Sequence, residues 1–237
     1  MSHGSKNLFP SLKALDNAKE VQLITFLISM PINRKRYIMD TLQIISISGQ
    51  IFAILNPIGV IPTFLSLTQG MDPDKRHRVV RHSILTVIFL TLSLAVGGSL
   101  ILEFFRVSVF SLQIGGGILL MVLAIDMLSG LPRTKGVEAG EEIAIVPIAT
   151  PLLVGPGTIT TVIVLSKTVP MLYLLVSILI VAFLAYLLLR YSEVLTDILG
   201  INGIRAISRF MAIIIAAFAA QLLYGGLTGW LTSWGLI

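Results

Sequence analysis

The chain has 237 residues, of which 55% are hydrophobic and only 12% charged, and its mean hydropathy is +0.94. A soluble domain carries roughly twice that charged fraction, so the composition indicates an integral membrane protein. Cysteine is absent, which excludes disulfides and thiolate metal sites. The net charge of +5 comes from loops and the N-terminal arm, where membrane topology and anionic lipids explain it without nucleic acid.

Residues 1–40 are predicted to form a peripheral or disordered arm, because their one apolar patch, Val21 to Ile32, is too short to cross a bilayer. Long apolar runs then follow without the alternating polarity of a β-barrel, which favours transmembrane helices. The six predicted spans lie at about 42–69, 83–104, 107–129, 143–166, 169–190 and 207–234.

Two loops carry local signals. In the basic loop Gly70–His82, Asp72 followed by Pro73 predicts an N-cap and the first residue of the next helix. The stretch Tyr191–Arg209 mixes charges with apolar residues and two glycines, which predicts an interfacial turn before the last span.

Helices one and four are predicted to be broken, because the same proline and glycine pattern interrupts both. Pro57 and Pro62 in the first correspond to Pro151 and Pro156 in the fourth. Each proline removes a backbone donor and crowds the preceding turn. A kink tolerated by neighbouring helices is the simpler explanation of one proline. Matched breaks in two halves are instead typical of a transporter's central site.

The spans divide into two halves, residues 41–130 and 143–237, joined by a linker at 131–142. With three spans in each half, the second half enters the membrane from the opposite face. The sequence therefore predicts an all-α membrane protein with six transmembrane helices in two inverted three-helix repeats. Lysine and arginine are more numerous in the loops after spans one, three and five, which predicts that those loops are cytoplasmic and both termini extracytoplasmic.

The breaks supply the candidate substrate site. A helix that restarts presents backbone N–H groups and its positive dipole end, which can bind a carboxylate without arginine. Valine at a glycine of either break is expected to eliminate binding. The candidate substrate-binding residues are Asn56, Pro57, Gly59, Pro62, Thr150, Pro151, Gly155, Pro156, Gly157 and Thr158.

Asp126 is the only acidic residue well inside a span and is a candidate for proton coupling. The alternatives are that it reaches the interface or bonds a neighbouring helix. Gln221 occupies the corresponding position of the second half and is a secondary candidate, able to hydrogen-bond but not to titrate usefully. Glycines within the spans are predicted to let helices approach closely. Neither a metal-ligand cluster nor a nucleophile and base set is visible, so no metal, cofactor or enzymatic activity is predicted.

The chain resembles the MarC family of integral membrane proteins, which includes the small neutral amino-acid transporters called SnatA. The resemblance covers roughly residues 40–235 and implies six helices in two inverted repeats. For some members it implies transport of glycine and alanine coupled to an ion gradient. The motifs that carry it are Asn56-Pro57-Ile58-Gly59 with Pro62, Pro147-x-x-x-Pro151-Leu152-Leu153-x-Gly155-Pro156-Gly157, and Gly200-x-x-Gly203 followed by Arg209 and Gln221.

The predicted function is secondary transport of small neutral amino acids across a bacterial inner membrane by alternating access. The expected partners are a small zwitterionic substrate, a coupling proton or sodium ion and the lipid bilayer; a homo-oligomer is compatible with the sequence, and nucleic acid is not expected. The alternative is a passive channel or a membrane-assembly subunit, in which the breaks only admit water or a partner helix.

Overall fold

The computed structural model describes residues 32–129 and 153–236, and none of these residues forms a strand. The chain divides into two compact units, Met1–Gln43 and Ile44–Ile237, and the packing described below lies within the second. The helices are α1 (Ile32–Leu55), α2 (Pro57–Leu67), α3 (Pro73–Phe104), α4 (Val109–Ser129), α5 (Pro156–Thr168), α6 (Met171–Arg190) and α7 (Ser192–Ser233).

Five helical stretches in the described part of the chain are long and apolar enough to cross a membrane. They are Asp40–Leu67, which combines most of α1 with α2, and helices α3, α4, α6 and α7. The prediction of an all-helical membrane protein is therefore confirmed. Helix α5 has 13 residues, a rise of about 20 Å, which is shorter than a ~30 Å hydrocarbon core. The fourth predicted span, 143–166, begins outside the described residues, so a sixth crossing stays a prediction.

Many large apolar side chains lie on the outside of the helices. Phe89 and Phe104 on α3 are 70% and 82% exposed, and Ile198 on α7 is 74% exposed. A soluble monomer rarely exposes so much contiguous apolar surface. These side chains are suited to contact lipid.

The helix starts follow local sequence signals. Helix α3 begins at Pro73, and Asp72 Oδ2 accepts a hydrogen bond from the backbone N–H of Asp74 at 3.3 Å. The predicted cap is thus confirmed. Helix α1 begins at Ile32, earlier than the predicted span, because no proline interrupts the chain from there to Leu55.

The turn predicted over Tyr191–Arg209 is present, but it is confined to one residue, Gly200. The chain is helical on both sides of Gly200, which adopts φ 67° and ψ 165° and divides the long α7 into two helices that meet at a kink. Glycine enters the positive-φ region without the steric penalty of a Cβ atom, so one residue redirects the helix axis. The helix on the far side is anchored by Ile204, which is 1% exposed.

Helices α4 and α7 make the most extensive contact, and the other main packed pairs are α3–α6, α3–α5, α4–α5, α2–α7 and α2–α6. Glycines bring several of these helices together. A Cβ atom at Gly117 would lie 2.9 Å from the carbonyl oxygen of Ala219, and one at Gly98 would lie 2.6 Å from Ile163 Cγ1. Distances below 3.0 Å exclude a side chain unless a helix shifts, so the predicted packing role is confirmed at these two glycines.

Arg76, near the start of α3, ties together the ends of three helices. Its guanidinium forms an ion pair with Glu193 at the start of α7 and donates through Nη2 to the carbonyl oxygen of Thr68, the C-cap of α2, at 3.2 Å. The Arg76 side chain is only 18% exposed, whereas that of Glu193 is 64% exposed. The bond to the helix end is therefore the better protected of the two.

Arg76→Met should lower the free energy of unfolding more than Glu193→Gln. The first variant removes the ion pair and also the bond to the Thr68 carbonyl, which keeps only the backbone N–H of Met71 as a donor, at about 1–2 kcal/mol in total, whereas an exposed ion pair contributes less than about 1 kcal/mol. Thermal unfolding of both purified variants in detergent measures the difference. Equal losses would show that Arg76 acts only through its ion pair.

Candidate functional site

The first helical break lies at Asn56. Helix α1 ends at Leu55, and Asn56 adopts the left-handed conformation at φ 46° and ψ 57°. Its side-chain Oδ1 accepts a hydrogen bond from the backbone N–H of Gly59 at 3.2 Å. Pro57 is the first residue of α2. A backbone N–H at this position would have no partner within the helix, so the proline costs no helical hydrogen bond. The predicted break of the first transmembrane helix is thus confirmed at Asn56-Pro57.

Pro62 does not add a second break, since it lies inside α2, which continues to Leu67. It removes one backbone donor from the helix. The buried face of α2 holds the helix in place, because Ile61 and Phe64 are both fully buried in the core. The interruption is therefore shorter than the motif suggests.

The amide nitrogen of Asn56 has a weak partner. Nδ2 donates to the sulfur of Met127 on α4 at 3.7 Å, and Asn56 is only 5% exposed. A thioether is a poor acceptor. A stronger acceptor such as a carboxylate could therefore replace the sulfur and accept a hydrogen bond from this N–H without any change in the backbone.

The second predicted break is described on one side only, so the break itself stays a prediction. Helix α5 begins at Pro156 after Gly155, which is extended at φ −80° and ψ 177° and provides no side-chain cap. The hydroxyl of Thr158 donates to the carbonyl oxygen of Leu153 at 3.1 Å. The backbone N–H groups of Gly157 and Thr158 are thus first-turn donors without a side-chain acceptor at the cap. Two further predicted residues of this break, Thr150 and Pro151, lie outside the described residues.

The two glycines of the breaks face neighbouring side chains. A Cβ atom at Gly59 would lie 2.2 Å from Asn56 Nδ2 and 2.9 Å from Ser208 Oγ, and one at Gly157 would lie 2.4 Å from Leu120 Cδ2. Valine at either position would therefore displace these neighbouring side chains. The structure gives these glycines a packing role, so loss of binding in the valine variants would not by itself place the substrate there.

Helix α4 runs past the first break and past the start of α5. Met127 contacts the first break, and Leu120, two turns or about 10 Å earlier, contacts the start of α5. The end of α1 reaches the same place, because Ile54 Cγ2 lies 3.5 Å from the Cβ position of Gly157. The end of α1, the start of α5 and the middle of α4 thus converge around Ile54 and Leu120, both of which are buried.

Asp126 lies on the surface of the described part of the chain. It is exposed, three residues before the end of α4, and its backbone carbonyl accepts a hydrogen bond from the Ser129 hydroxyl at 2.8 Å. Its neighbour Met127 is the residue that touches Asn56. Asp126 is therefore next in sequence to a residue that contacts the first break, while its own side chain is exposed.

A partly open cavity of about 410 Å³ lies between α1, α4, α5 and α7. Ile54 lines it and so connects it to the breaks. Its polar lining residues are Gln50, Gln113, Thr161, Thr168, Gln221 and Tyr224. Sequence analysis identified Gln221 but missed the others, because they come from different helices and form no motif. The sequence signal that could have identified them is an amide or hydroxyl side chain within an apolar span.

These features define a multi-pass α-helical membrane protein whose first transmembrane helix is discontinuous. Residues 41–231 match the family described as MarC family integral membrane protein. A UPF0056 membrane protein of Methanocaldococcus jannaschii is 35% identical over 81% of this chain and 98% of its own length. The UPF0056 inner membrane protein YhgN of Escherichia coli K12 is 31% identical over 80% and 98%. The chain belongs to the MarC family. Among solved structures, none matches it.

Proposed function

We propose that this MarC family protein is a secondary transporter of small neutral amino acids, with its central site at the two helical breaks. The observation that carries the proposal is the discontinuity at Asn56, beside which α5 begins with an uncapped first turn. Backbone of this kind is tolerated at membrane depth where it is buried in protein or lines a polar cavity. The convergence of α1, α4 and α5 around Ile54 supplies the protein surroundings.

The helix contacts support the inverted repeat. An inverted repeat would make α2 equivalent to α5, α3 to α6 and α4 to α7. When each helix is replaced by its equivalent, the list of main packed pairs stays the same. The pairs α4–α7 and α3–α6 map onto themselves, α3–α5 becomes α2–α6, and α4–α5 becomes α2–α7. This symmetry favours α5 as the second part of a broken fourth helix, equivalent to α2.

The two restarted helices differ in what they offer a carboxylate. In α2, the Gly59 N–H is already bonded to Asn56. In α5, the N–H groups of Gly157 and Thr158 have no side-chain cap and lie at the positive end of the helix dipole. A substrate carboxylate is therefore expected at the start of α5, with Asn56 Nδ2 as a further donor.

Substrate size follows from the close packing at the same place. Leu120 and Ile54 both approach Gly157 closely, which leaves little room for a branched side chain. Glycine, alanine and serine are therefore expected to compete with one another far better than leucine does.

Uptake of labelled alanine into proteoliposomes tests the transport proposal. Accumulation above the external concentration under an imposed proton or sodium gradient would support it, and excess glycine or serine should inhibit uptake more than leucine. Equilibration without accumulation would favour the alternative, a passive channel, for which the uncharged polar lining of the cavity is the supporting observation. Absence of alanine movement would contradict both and leave a membrane-assembly role.

Asp126→Asn tests the coupling role. If this carboxylate carries the coupled proton, the variant should lose gradient-driven accumulation and retain alanine exchange across the membrane, since the neutral amide fits but does not titrate. Equal loss of both activities would assign Asp126 to folding or binding. Unchanged accumulation would remove it from the mechanism.

The proposed orientation places residues 70–82 in the cytoplasm and the C-terminus outside, in a multi-pass inner-membrane protein. Arg76 and Glu193 form an ion pair, which is consistent with the loops after the first and fifth predicted spans lying on one side. Reporter fusions at Lys75 and Leu236 should give opposite locations. A cytoplasmic signal from the C-terminal fusion would reverse the orientation.

A further inference from the structure

The glutamine-lined cavity contains buried polar atoms without a hydrogen-bond partner. Gln113 Oε1 and Thr161 Oγ1 are both buried, neither has a partner, and both residues line the cavity. Thr161 is only 6% exposed. Native structures pair nearly all buried polar atoms. Neither atom has accessible surface of its own, so water or a ligand in the cavity would complete them once the two side chains turn towards it.

The chemistry of the wall limits what the ligand can be. The described residues that line the cavity carry no formal charge. The side-chain oxygen of glutamine is an acceptor only, and a threonine hydroxyl can also accept. The unpaired atoms therefore call for a donor, and a neutral wall suits a solute without net charge. The volume of about 410 Å³ is within the usual range of small-ligand sites and exceeds that of one small amino acid.

The cavity is also in the right place to deliver a solute to the breaks. Gln50 and Ile54 lie one turn apart on α1, and both line it. Ile54 at the same time approaches Gly157, at the start of α5. The cavity therefore extends from the level of the second break towards the ends of α5 and α7, past Thr168 and Tyr224.

We infer that this cavity is an outer binding subsite for the zwitterionic substrate, in which Gln113 Oε1 and Thr161 Oγ1 accept hydrogen bonds from the ammonium group before the solute passes Ile54. The inference rests on the proposed function and extends it by assigning a second place of binding. The carboxylate-binding breaks and the ammonium-binding cavity then recognise opposite ends of the same class of molecule.

Cysteine chemistry tests this assignment, because the natural chain contains no cysteine. Gln50→Cys, which lines the cavity and leaves both acceptors in place, should react with a small membrane-impermeant methanethiosulfonate reagent in protein reconstituted into vesicles, and saturating alanine should slow the reaction several-fold. Thr161→Cys probes another wall of the cavity, and because it removes one acceptor it should be protected less well. The matched control is Thr91→Cys, where the native threonine is 1% exposed and its hydroxyl already donates to Val87 O at 2.6 Å. That variant should not react.

Two ligand comparisons identify the recognised group. Propionate lacks the ammonium group of alanine and should not protect, whereas ethylamine, which lacks the carboxylate, should protect at higher concentration. Adding Gln113→Leu to Gln50→Cys should raise the alanine concentration for half-protection by about tenfold, as expected for one lost polar partner. Equal protection by propionate, or no change with Gln113→Leu, would overturn the assignment of the acceptors.

Labelling does not require transport, so the two proposals fail separately. Alanine uptake without protection of Thr161→Cys and Gln50→Cys would leave the transporter standing and remove the outer subsite. Protection without uptake would support the subsite and contradict transport. No reaction at either cavity position would show that water does not enter the cavity, and the inference would be wrong.

Discussion

Gly116→Ala should destabilise the protein by about 1–3 kcal/mol, and Gly116→Val should prevent folding, because α4 and α5 touch at this residue. A Cβ atom at Gly116 would lie 1.9 Å from Thr160 Cγ2 and 2.7 Å from Thr160 Cβ. Thr160 is itself buried, at 4% exposure, so it cannot swing into solvent. The helices would have to separate, and the start of α5 would move with them. Thermal unfolding in detergent measures the loss.

The preceding glycine supplies a matched control. A Cβ atom at Gly115 would meet nothing within 4 Å. Gly115→Ala should therefore be neutral or stabilising by about 0.5–1 kcal/mol, as alanine is the better helix former. Adding Thr160→Ala to Gly116→Ala removes the closest atom and should recover part of the lost stability. Independent, additive effects of these two changes would contradict the contact.

Asn56→Ala should reduce both stability and alanine binding. The change removes the side-chain cap of α2 and places at φ 46° a residue without the short polar side chain through which asparagine tolerates that conformation. Loss of the cap costs about 1 kcal/mol, and the left-handed conformation adds about 1–2 kcal/mol. Removal of Nδ2 should also weaken alanine binding by about tenfold if this N–H contacts the carboxylate. Unfolding curves and ligand-induced thermal stabilisation measure the two effects.

Asn56→Gly separates these contributions, because glycine adopts positive φ without strain. Its stability should fall by only a few tenths of a kcal/mol, while alanine binding should weaken as much as in Asn56→Ala. Normal binding in the glycine variant would show that the amide serves the helix break alone.

Much of the fold follows from local chemistry that one sequence displays. Two prolines five residues apart, with a glycine between them, predicted the break, and apolar run length predicted the spans. The effect of Pro62 was harder to predict, since α2 holds its helical form through the buried contacts of Phe64. The turn before the last span was predicted over Tyr191–Arg209, whereas one residue at positive φ, Gly200, is enough to divide α7 into two helices.

The candidate site was less predictable, because its contacts join residues far apart in the chain. The motif identified Asn56 but gave no indication that Met127 would be its partner. Gln113 and Thr161 come from different helices, and only their packing places both at one cavity. The packing glycines were predicted as a group, yet only the structure distinguishes Gly116, which faces Thr160, from Gly115, which faces open space.

Arg76 and the cavity lie at opposite ends of α3, because Gln113 follows closely after the last residue of that helix. A solute that entered through the cavity and left at the other end would need α2 and α7 to separate from α3 there. The largely buried guanidinium would then release both Glu193 and the carbonyl of Thr68. Both of these contacts of Arg76 would then be broken in the transition state of that opening. Opening at that end of a transport cycle would therefore include the loss of the Arg76 contacts in its activation barrier.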